Sequence, residues 1–375
     1  MHTVSELLED LQQGRMVVLV DDESRENEGD LVCAAETITA GQVNFMLREA
    51  RGILCVSLSG ETCDRLELSQ QSTINTTQHG TAFTVSVDAH ERFGITTGVS
   101  ADERAKTIQV LVDPATRSGD LARPGHVNPL RARDGGVLVR AGQTEGSIDL
   151  MKLAGLRQAS AIIEIMNEDG SMARRPQLDT FCEKHQLKMG SVADIIQFRL
   201  QREKLIERID EAPFESEYGQ FKLIAYRSAV DPLPHVALVC GGVGEGEMDE
   251  SVLVRMHSQN LLGDVFGDAE QPTGDILHAS MKMIREEGCG AIVYLRHEGM
   301  GKGLLKRLHT LHRPDSDGNT DLPDHSKHGS YGIGSQILRD LGIRQLRLLT
   351  NHPFQPPGLD GFGLSIGEFV PLNQG

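Results

Sequence analysis

The order of apolar and polar positions predicts two successive runs of mixed helix and strand. Val4, Leu7, Leu8 and Leu11 share one helical face, Thr3 and Glu6 have capping-box spacing, and Gly14 ends the helix. Met16-Val17-Val18-Leu19-Val20 is a continuous apolar run of strand length. Thr39 and Gln42 cap a second helix through about Glu49, and Ile53–Leu58 and Ala82–Val87 read as strands. Ser100 and Glu103 cap a helix that ends near Val112, ahead of Pro114. A loop-rich stretch follows, holding Arg123-Pro124-Gly125-His126-Val127 and Asp134-Gly135-Gly136. A strand over Val137–Arg140 then leads through Ala141-Gly142-Gln143-Thr144 into a helix reaching Leu153. Ala161–Met166 is a predicted strand. Helices follow over Pro176–His185 and Ser191–Ile209, the second long and charged as a linking helix is.

From Phe221 the pattern restarts, with strands over Phe221–Tyr226 and His235–Cys240. Residues 313–330, including His325 and His328, are polar and breaker-rich and predict a mobile loop. The boundary is placed near 205–212, giving domains 1–205 and 206–375, as a length of 375 residues suggests. No internal repeat is visible. Strands and helices alternate irregularly, so the expected fold is α+β in the first half and mixed α/β in the second, not doubly wound.

Charge narrows the partners. The chain has 37 basic and 54 acidic residues, a net charge of -17, which disfavours nucleic acid and anionic membrane surfaces. No apolar stretch approaches the ~20 residues of a membrane span, and the first residues lack a basic segment followed by an apolar one. The 6 cysteines lie far apart without a Cys-x-x-Cys pair, which fits reduced thiols in the cytoplasm.

The chemistry gathers first in Asp21-Asp22-Glu23-Ser24-Arg25-Glu26-Asn27-Glu28-Gly29-Asp30, directly after the apolar run 16–20. A charge run is often only a solvated loop. Carboxylates crowded at the end of a buried strand also suit a hard cation such as Mg2+. His126 follows a stiff Pro-Gly turn. The segment Arg140 to Thr144 joins a predicted strand to a helix start, where backbone N–H groups, Thr144 and Arg140 can hold a phosphate. Glu164 lies between Ile162, Ile163, Ile165 and Met166, where burial would raise its pKa and suit it to acid–base work. Taken singly, each has a bland reading: a hydrogen-bonded loop histidine, a solvent-facing edge carboxylate, a surface ion pair.

Residues 1–205 resemble 3,4-dihydroxy-2-butanone 4-phosphate synthase. The likeness rests on the run 21–30, His79-Gly80-Thr81-Ala82-Phe83-Thr84-Val85, Thr96-Thr97-Gly98-Val99-Ser100-Ala101, Asp120-Leu121-Ala122-Arg123-Pro124-Gly125-His126-Val127 and Ile148-Asp149-Leu150-Met151-Lys152-Leu153-Ala154-Gly155. The resemblance implies a homodimeric α+β protein. It would convert ribulose 5-phosphate to 3,4-dihydroxy-2-butanone 4-phosphate and formate with Mg2+ or Mn2+. Carried over by position, Glu26 is a metal ligand, and Arg25, Glu26 and Asp30 contact the substrate. Arg140, Ala141, Gly142, Gln143 and Thr144 receive its phosphate end. His126 and Glu164 are the acid–base groups, with Glu164 also touching substrate. The family pattern has histidine as the second metal ligand where this chain has Gln143. Glutamine keeps a polar atom at similar reach, and Mg2+ accepts amide oxygens.

Residues 206–375 resemble GTP cyclohydrolase II with its chemistry removed. The framework shows in Leu261-Leu262-Gly263-Asp264-Val265-Phe266-Gly267, Tyr294-Leu295-Arg296-His297-Glu298-Gly299, Tyr331-Gly332-Ile333-Gly334-Ser335-Gln336-Ile337-Leu338 and Leu348-Leu349-Thr350-Asn351. The family holds zinc with three cysteines; the corresponding positions are Asn260, Gln271 and Thr273. Met300 stands for an arginine, and the catalytic Asp and Arg fall near Lys327 and Gly329. The resemblance therefore implies no zinc and no cyclohydrolase activity, and a retained structural or dimer-supporting domain rather than a new catalytic function. Two other readings stay open for the whole chain: an enzyme with altered chemistry on a pentulose phosphate, and a non-catalytic protein that binds a sugar phosphate.

Overall fold

Val17–Val20 forms β1, and all four residues are buried, as a continuous apolar run requires of a strand covered on both faces. The acidic run then turns the chain back. Gly29–Ala34 returns as β2, antiparallel to β1 with Val20 opposite Gly29. The sequence reading did not foresee this strand, because its first residues belong to the charge run. The structure, a computed structural model, describes residues 1–22, 25–75, 81–230, 233–296, 326–353 and 359–372, with the backbone alone at 326–331 and 360. Glu23, Ser24, His79, Gly80, His297 to Met300 and the predicted loop as far as His325 lie outside the described residues. The chain forms two compact units, Met1–Phe198 and Arg199–Gly375.

The helices of the first unit start where local chemistry places them. In α1 (Val4–Gln12) Thr3 and Glu6 form the expected capping box, and Thr39 and Gln42 form another before α2 (Ala40–Phe45). Then come β3 (Cys55–Leu58), α3 (Gly60–Arg65), β4 (Val87–Ala89), α4 (Ala101–Val112), β5 (Leu121–Arg131), α5 (Gln143–Leu153), β6 (Ala159–Glu164), α6 (Arg175–His185), β7 (Lys188–Ser191) and α7 (Val192–Arg202). The sheet order is β4-β5-β3-β6-β2-β1-β7. The β1/β7 and β3/β5 pairs are parallel and the other pairs antiparallel, so the unit is α+β as expected. Val18, Leu31, Val56 and Ile163 belong to its fully buried core.

Three further segments of the first unit differ from the sequence expectation. Residues 121–131 form a strand rather than a loop. Its pairing with β4 jumps from Val87↔Val127 to Asp88↔Ala122, so Arg123 to His126 bulge out of the ladder. A proline without an N–H and a glycine fit that bulge. A Cβ on Gly125 would lie 2.0 Å from the Val87 carbonyl carbon. Residues 82–86 make only isolated bridges at Phe83 and Thr84 before β4 begins. Residues 137–140 form no strand. Gly136–Leu138 is a short 3-10 turn, because Gly135 and Gly136 take φ of 90° and 65° and Asp149 accepts the Val137 N–H at 2.9 Å.

The last predicted helix of the first half stops at Arg202. Ile206–Ser216 is instead β8, paired antiparallel with β9 (Gly219–Ser228) at the start of the second unit. It is an edge strand and so tolerates Pro213. The second unit continues with β10 (His235–Cys240), β11 (Val252–Ser258), α8 (Leu261–Phe266), α9 (Thr273–Glu287), β12 (Gly290–Leu295), α10 (Ser326–Asp340), β13 (Gln345–Leu349) and β14 (Ser365–Val370). Its order is β14-β13-β11-β12-β10-β9-β8, parallel on one side and antiparallel on the other. Residues 326–330, expected in the loop, begin α10.

Candidate active site

Strand register brings four separated segments to one end of the first sheet. Asp30 on β2 lies opposite Glu164 on β6. Ile53, just before β3, donates its backbone N–H to Glu164 Oε2 at 2.9 Å. Cys55 on β3 pairs with Asn128 on β5, so His126 falls toward that same end. Neighbouring strands lie about 4.8 Å apart, which places these groups within reach of one small molecule.

Asp21 organises the acidic loop that overhangs this end. Its side chain is fully buried and accepts the N–H groups of Glu26 at 3.0 Å and Glu28 at 2.9 Å. Arg174 clamps the loop from outside, donating to the Glu26 carbonyl at 2.6 Å. The result fixes Arg25. Its Nη1 lies 2.8 Å from Asp21 Oδ2, 2.9 Å from Glu26 Oε2 and 2.9 Å from Gln143 Oε1. Gln143 opens α5 and is 5% exposed, and its Nε2 is buried without a hydrogen-bond partner among the described residues.

Burial, and then the crowding of carboxylates, shifts two of them. Burial pushes Asp30 well above the usual carboxylate range, and Glu164, Glu26, Glu28 and Asp21 add to the shift. Glu28 is raised for the same reasons, burial first and Glu26 next. The deep burial expected at Glu164 thus belongs to its strand partner Asp30, while Glu164, at the strand end, is half-buried.

Arg140 reaches the buried Glu145, donating from Nη1 to Oε2 at 2.5 Å. A Cβ on Gly142 would lie 2.5 Å from Arg140 Nη1 and 3.1 Å from Arg25 Nη2, so both guanidinium groups lean over this glycine. Gly142 is the N-cap of α5 and no side chain among the described residues caps that helix, which leaves its first N–H groups open to an anion. Ala141 is half-buried and Thr144 buried, its carbonyl accepting from Ser147 Oγ at 2.9 Å.

His126 carries a partner that sequence reading missed. Asp88 Oδ1 accepts the His126 backbone N–H at 2.9 Å, and Asp88 Oδ2 lies 2.7 Å from Nδ1. A carboxylate oxygen only accepts, which assigns the proton to Nδ1 and leaves Nε2 to act as base. The signal was present: Asp88 is a lone carboxylate in Val85-Ser86-Val87-Asp88-Ala89, the pattern that marked Glu164.

The donors fit a hard cation. Glu26 offers a carboxylate and Gln143 an amide oxygen, the donor class of Mg2+ and Mn2+. Among the described residues no three His, Cys, Asp or Glu side chains converge on one point. A cation here would therefore take the rest of its shell from water and substrate, as Mg2+ commonly does.

In the second unit Asn260, Gln271 and Thr273 do come together. Asn260 Nδ2 donates to Gln271 Oε1 at 3.2 Å, and Thr273 Oγ1 donates to Asp264 Oδ1 at 2.6 Å. Asp264 also takes the Asn260 N–H at 2.9 Å, Tyr294 Oη at 2.7 Å and His257 Nε2 at 3.0 Å. Burial alone would raise the Asp264 pKa. Hydrogen bonds from His257, Thr273 and Tyr294 outweigh it and hold the carboxyl well below its usual range. Two amides and a hydroxyl do not fit zinc, which takes thiolate, imidazole or carboxylate ligands.

The model of the 3,4-dihydroxy-2-butanone 4-phosphate synthase family matches residues 5–198, and that of GTP cyclohydrolase II matches residues 207–371. The chain belongs to the 3,4-dihydroxy-2-butanone 4-phosphate synthase family. It is 48% identical over 378 residues to the riboflavin biosynthesis protein RibBA of Nocardia farcinica, covering 99% of this chain and 90% of that one. It is 47% identical over 370 residues to RibBA of Synechocystis, covering 97% of this chain but 66% of that longer protein. The crystal structure of RibBX, a two-domain 3,4-dihydroxy-2-butanone 4-phosphate synthase from A. baumannii, is 37% identical with a TM-score of 0.81, covering 98% of this chain and 99% of that one. A synthase structure in complex with two magnesium ions is 37% identical with a TM-score of 0.52, covering 54% of this chain and 98% of that one. Among the described residues no helix of this family member is long and apolar enough to cross a membrane.

Proposed function

We propose that residues 1–205 convert D-ribulose 5-phosphate to 3,4-dihydroxy-2-butanone 4-phosphate and formate, with Mg2+ or Mn2+, as a step of riboflavin biosynthesis. The observation that carries this reading is the convergence at one sheet end of Asp30, Glu164 and His126, beneath an acidic loop tied to Gln143 through Arg25. The first turn of α5 and the two arginines over Gly142 receive the phosphate. His126, aimed by Asp88, and Glu164 move protons next to the sugar carbonyl. Asp30, held toward its protonated form, donates a hydrogen bond to a substrate oxygen. A divalent cation on Glu26 and Gln143 would stabilise negative charge on the carbonyl and hydroxyl oxygens.

Ribulose 5-phosphate and Mg2+ with the full chain are expected to yield formate, followed by NMR, while Glu26→Ala yields none above background. Equal formate from both proteins would remove the reading. A product other than the butanone phosphate in the same spectra would favour altered chemistry on the same scaffold.

We propose further that residues 206–375 lack GTP cyclohydrolase II activity and bind no zinc. The donor chemistry at Asn260, Gln271 and Thr273 supports this, even though several relatives are named as bifunctional or RibBA proteins. Incubation with GTP is expected to give no turnover, and metal analysis of the purified chain to find no zinc. Stoichiometric zinc or steady GTP consumption would contradict it. Installing all three cysteines (N260C, Q271C, T273C) is expected to confer zinc binding.

A further inference from the structure

One nitrogen of one arginine stands between the two cation donors. Arg25 Nη1 is 2.9 Å from Glu26 Oε2 and 2.9 Å from Gln143 Oε1, and Asp21 Oδ2 holds it from behind at 2.8 Å. An ion drawing on both oxygens needs the space this nitrogen fills. The guanidinium is always charged, so it answers the carboxylates as an ion would. It is also well anchored, with a side chain only 5% exposed.

Gln143 makes the arrangement one-way. Arg25 is a donor only, so the amide must present Oε1 to it and turn Nε2 aside. Among the described residues Nε2 is accordingly buried without a partner. The amide oxygen that would ligate a cation is therefore the atom already committed to the arginine. A neutral amide oxygen repays displacement of a guanidinium less than an imidazole or carboxylate ligand does.

We propose that Arg25 and a divalent cation compete for one place in this chain. Gln143 and Glu26 hold the guanidinium there in the resting protein, and the cation binds by displacing it. The inference rests on Glu26 and Gln143 being the cation's donors, as in the proposed function, but not on the reaction that follows. It gives the freed guanidinium a destination. Arg25 Nη2 already lies 3.1 Å from the place a Cβ on Gly142 would take, beside Arg140. Entry of the cation thus releases Arg25 toward the anion-binding turn.

The test is an electron paramagnetic resonance titration of Mn2+ alone with the full chain, after removal of metal by chelation. Arg25→Gln is expected to bind Mn2+ at least about tenfold tighter than the unsubstituted chain, and Gln143→His to tighten it on a similar scale. Glu26→Ala is expected to lose binding. Unchanged or weaker Mn2+ binding by Arg25→Gln would overturn the proposal, as would full binding by Glu26→Ala. Nitrogen-15 arginine labelling of the unsubstituted chain gives a second reading, independent of whether Arg25→Gln folds. The Arg25 side-chain resonance, assigned with Arg25→Lys, is expected to shift as Mg2+ fills the site; an unmoved resonance at Mg2+ saturation overturns the proposal. Neither measurement reads turnover, so a failure to form formate leaves the result standing, and the reverse.

Discussion

Replacing Asp88 with asparagine is expected to lower turnover by about 10²- to 10⁴-fold while leaving the fold intact. The carboxylate makes two acceptor contacts to one residue, the backbone N–H of His126 at 2.9 Å and Nδ1 at 2.7 Å. An asparagine can satisfy only one of them. With its oxygen on the backbone N–H, its NH2 faces Nδ1 and drives the ring proton to Nε2, the wrong tautomer for a base. Turned the other way, its NH2 meets the backbone N–H donor. The side chain cannot swing clear, because Asp88 packs so closely on Gly98 that a Cβ there would lie 2.2 Å from Oδ2. Initial rates of formate release measure the loss, and nitrogen-15 shifts of the His126 ring report the tautomer. Full turnover with the tautomer unchanged would show that His126 does not depend on Asp88.

What was legible in the sequence was local. The capping boxes at Thr3 and Thr39 are set by residues three apart, and both formed as read. The segment Arg123 to His126 was not legible, because its proline and glycine look like a turn in isolation. Only the jump in register against Val87 and Asp88 reveals a bulge within a strand. Residues 206–209 show the same limit: the sequence reads them as the end of a charged helix, and pairing with β9 makes them the start of a strand.

The site divides along the same line. Glu26, Asp30, Gln143 and Glu164 could be named from carboxylates beside apolar runs and from the family likeness. Their partners could not. Asp21 reads as one acid among six, yet its buried oxygens shape the loop and hold Arg25. Arg140 was expected to face a phosphate, and its tie to Glu145 appears only in three dimensions. Asp88 was the one readable omission. In the second unit the three positions expected to replace cysteines do meet: Asn260 bonds Gln271, and Asp264 accepts from the Asn260 N–H and the Thr273 hydroxyl.

Asp30→Asn is expected to move stability and activity in opposite directions. Asp30 is 5% exposed and faces Glu164 across the β2–β6 pair. Burial first, and the surrounding carboxylates next, push its pKa well above the usual range. The folded state therefore holds this proton more tightly than the unfolded chain does. Below the ordinary carboxylate range both states are protonated and the group costs nothing. As pH rises from there through the raised pKa, folding must either keep the proton or bury a repelled charge, and stability falls. Asparagine removes that slope. In EDTA, so that no bound cation reverses the local electrostatics, the variant should gain about 0.5–2 kcal/mol near pH 8. That corresponds to a first-domain Tm higher by roughly 2–5 °C, with the gain vanishing near pH 4. Turnover should fall by about 10²-fold, because an amide is a far weaker acid than the carboxyl group and so a weaker hydrogen-bond donor to charge developing on the substrate oxygen. Calorimetry across this pH range decides the point: a gain independent of pH, or a loss at pH 8, would mean that Asp30 is held by packing and not by its neighbours' charge.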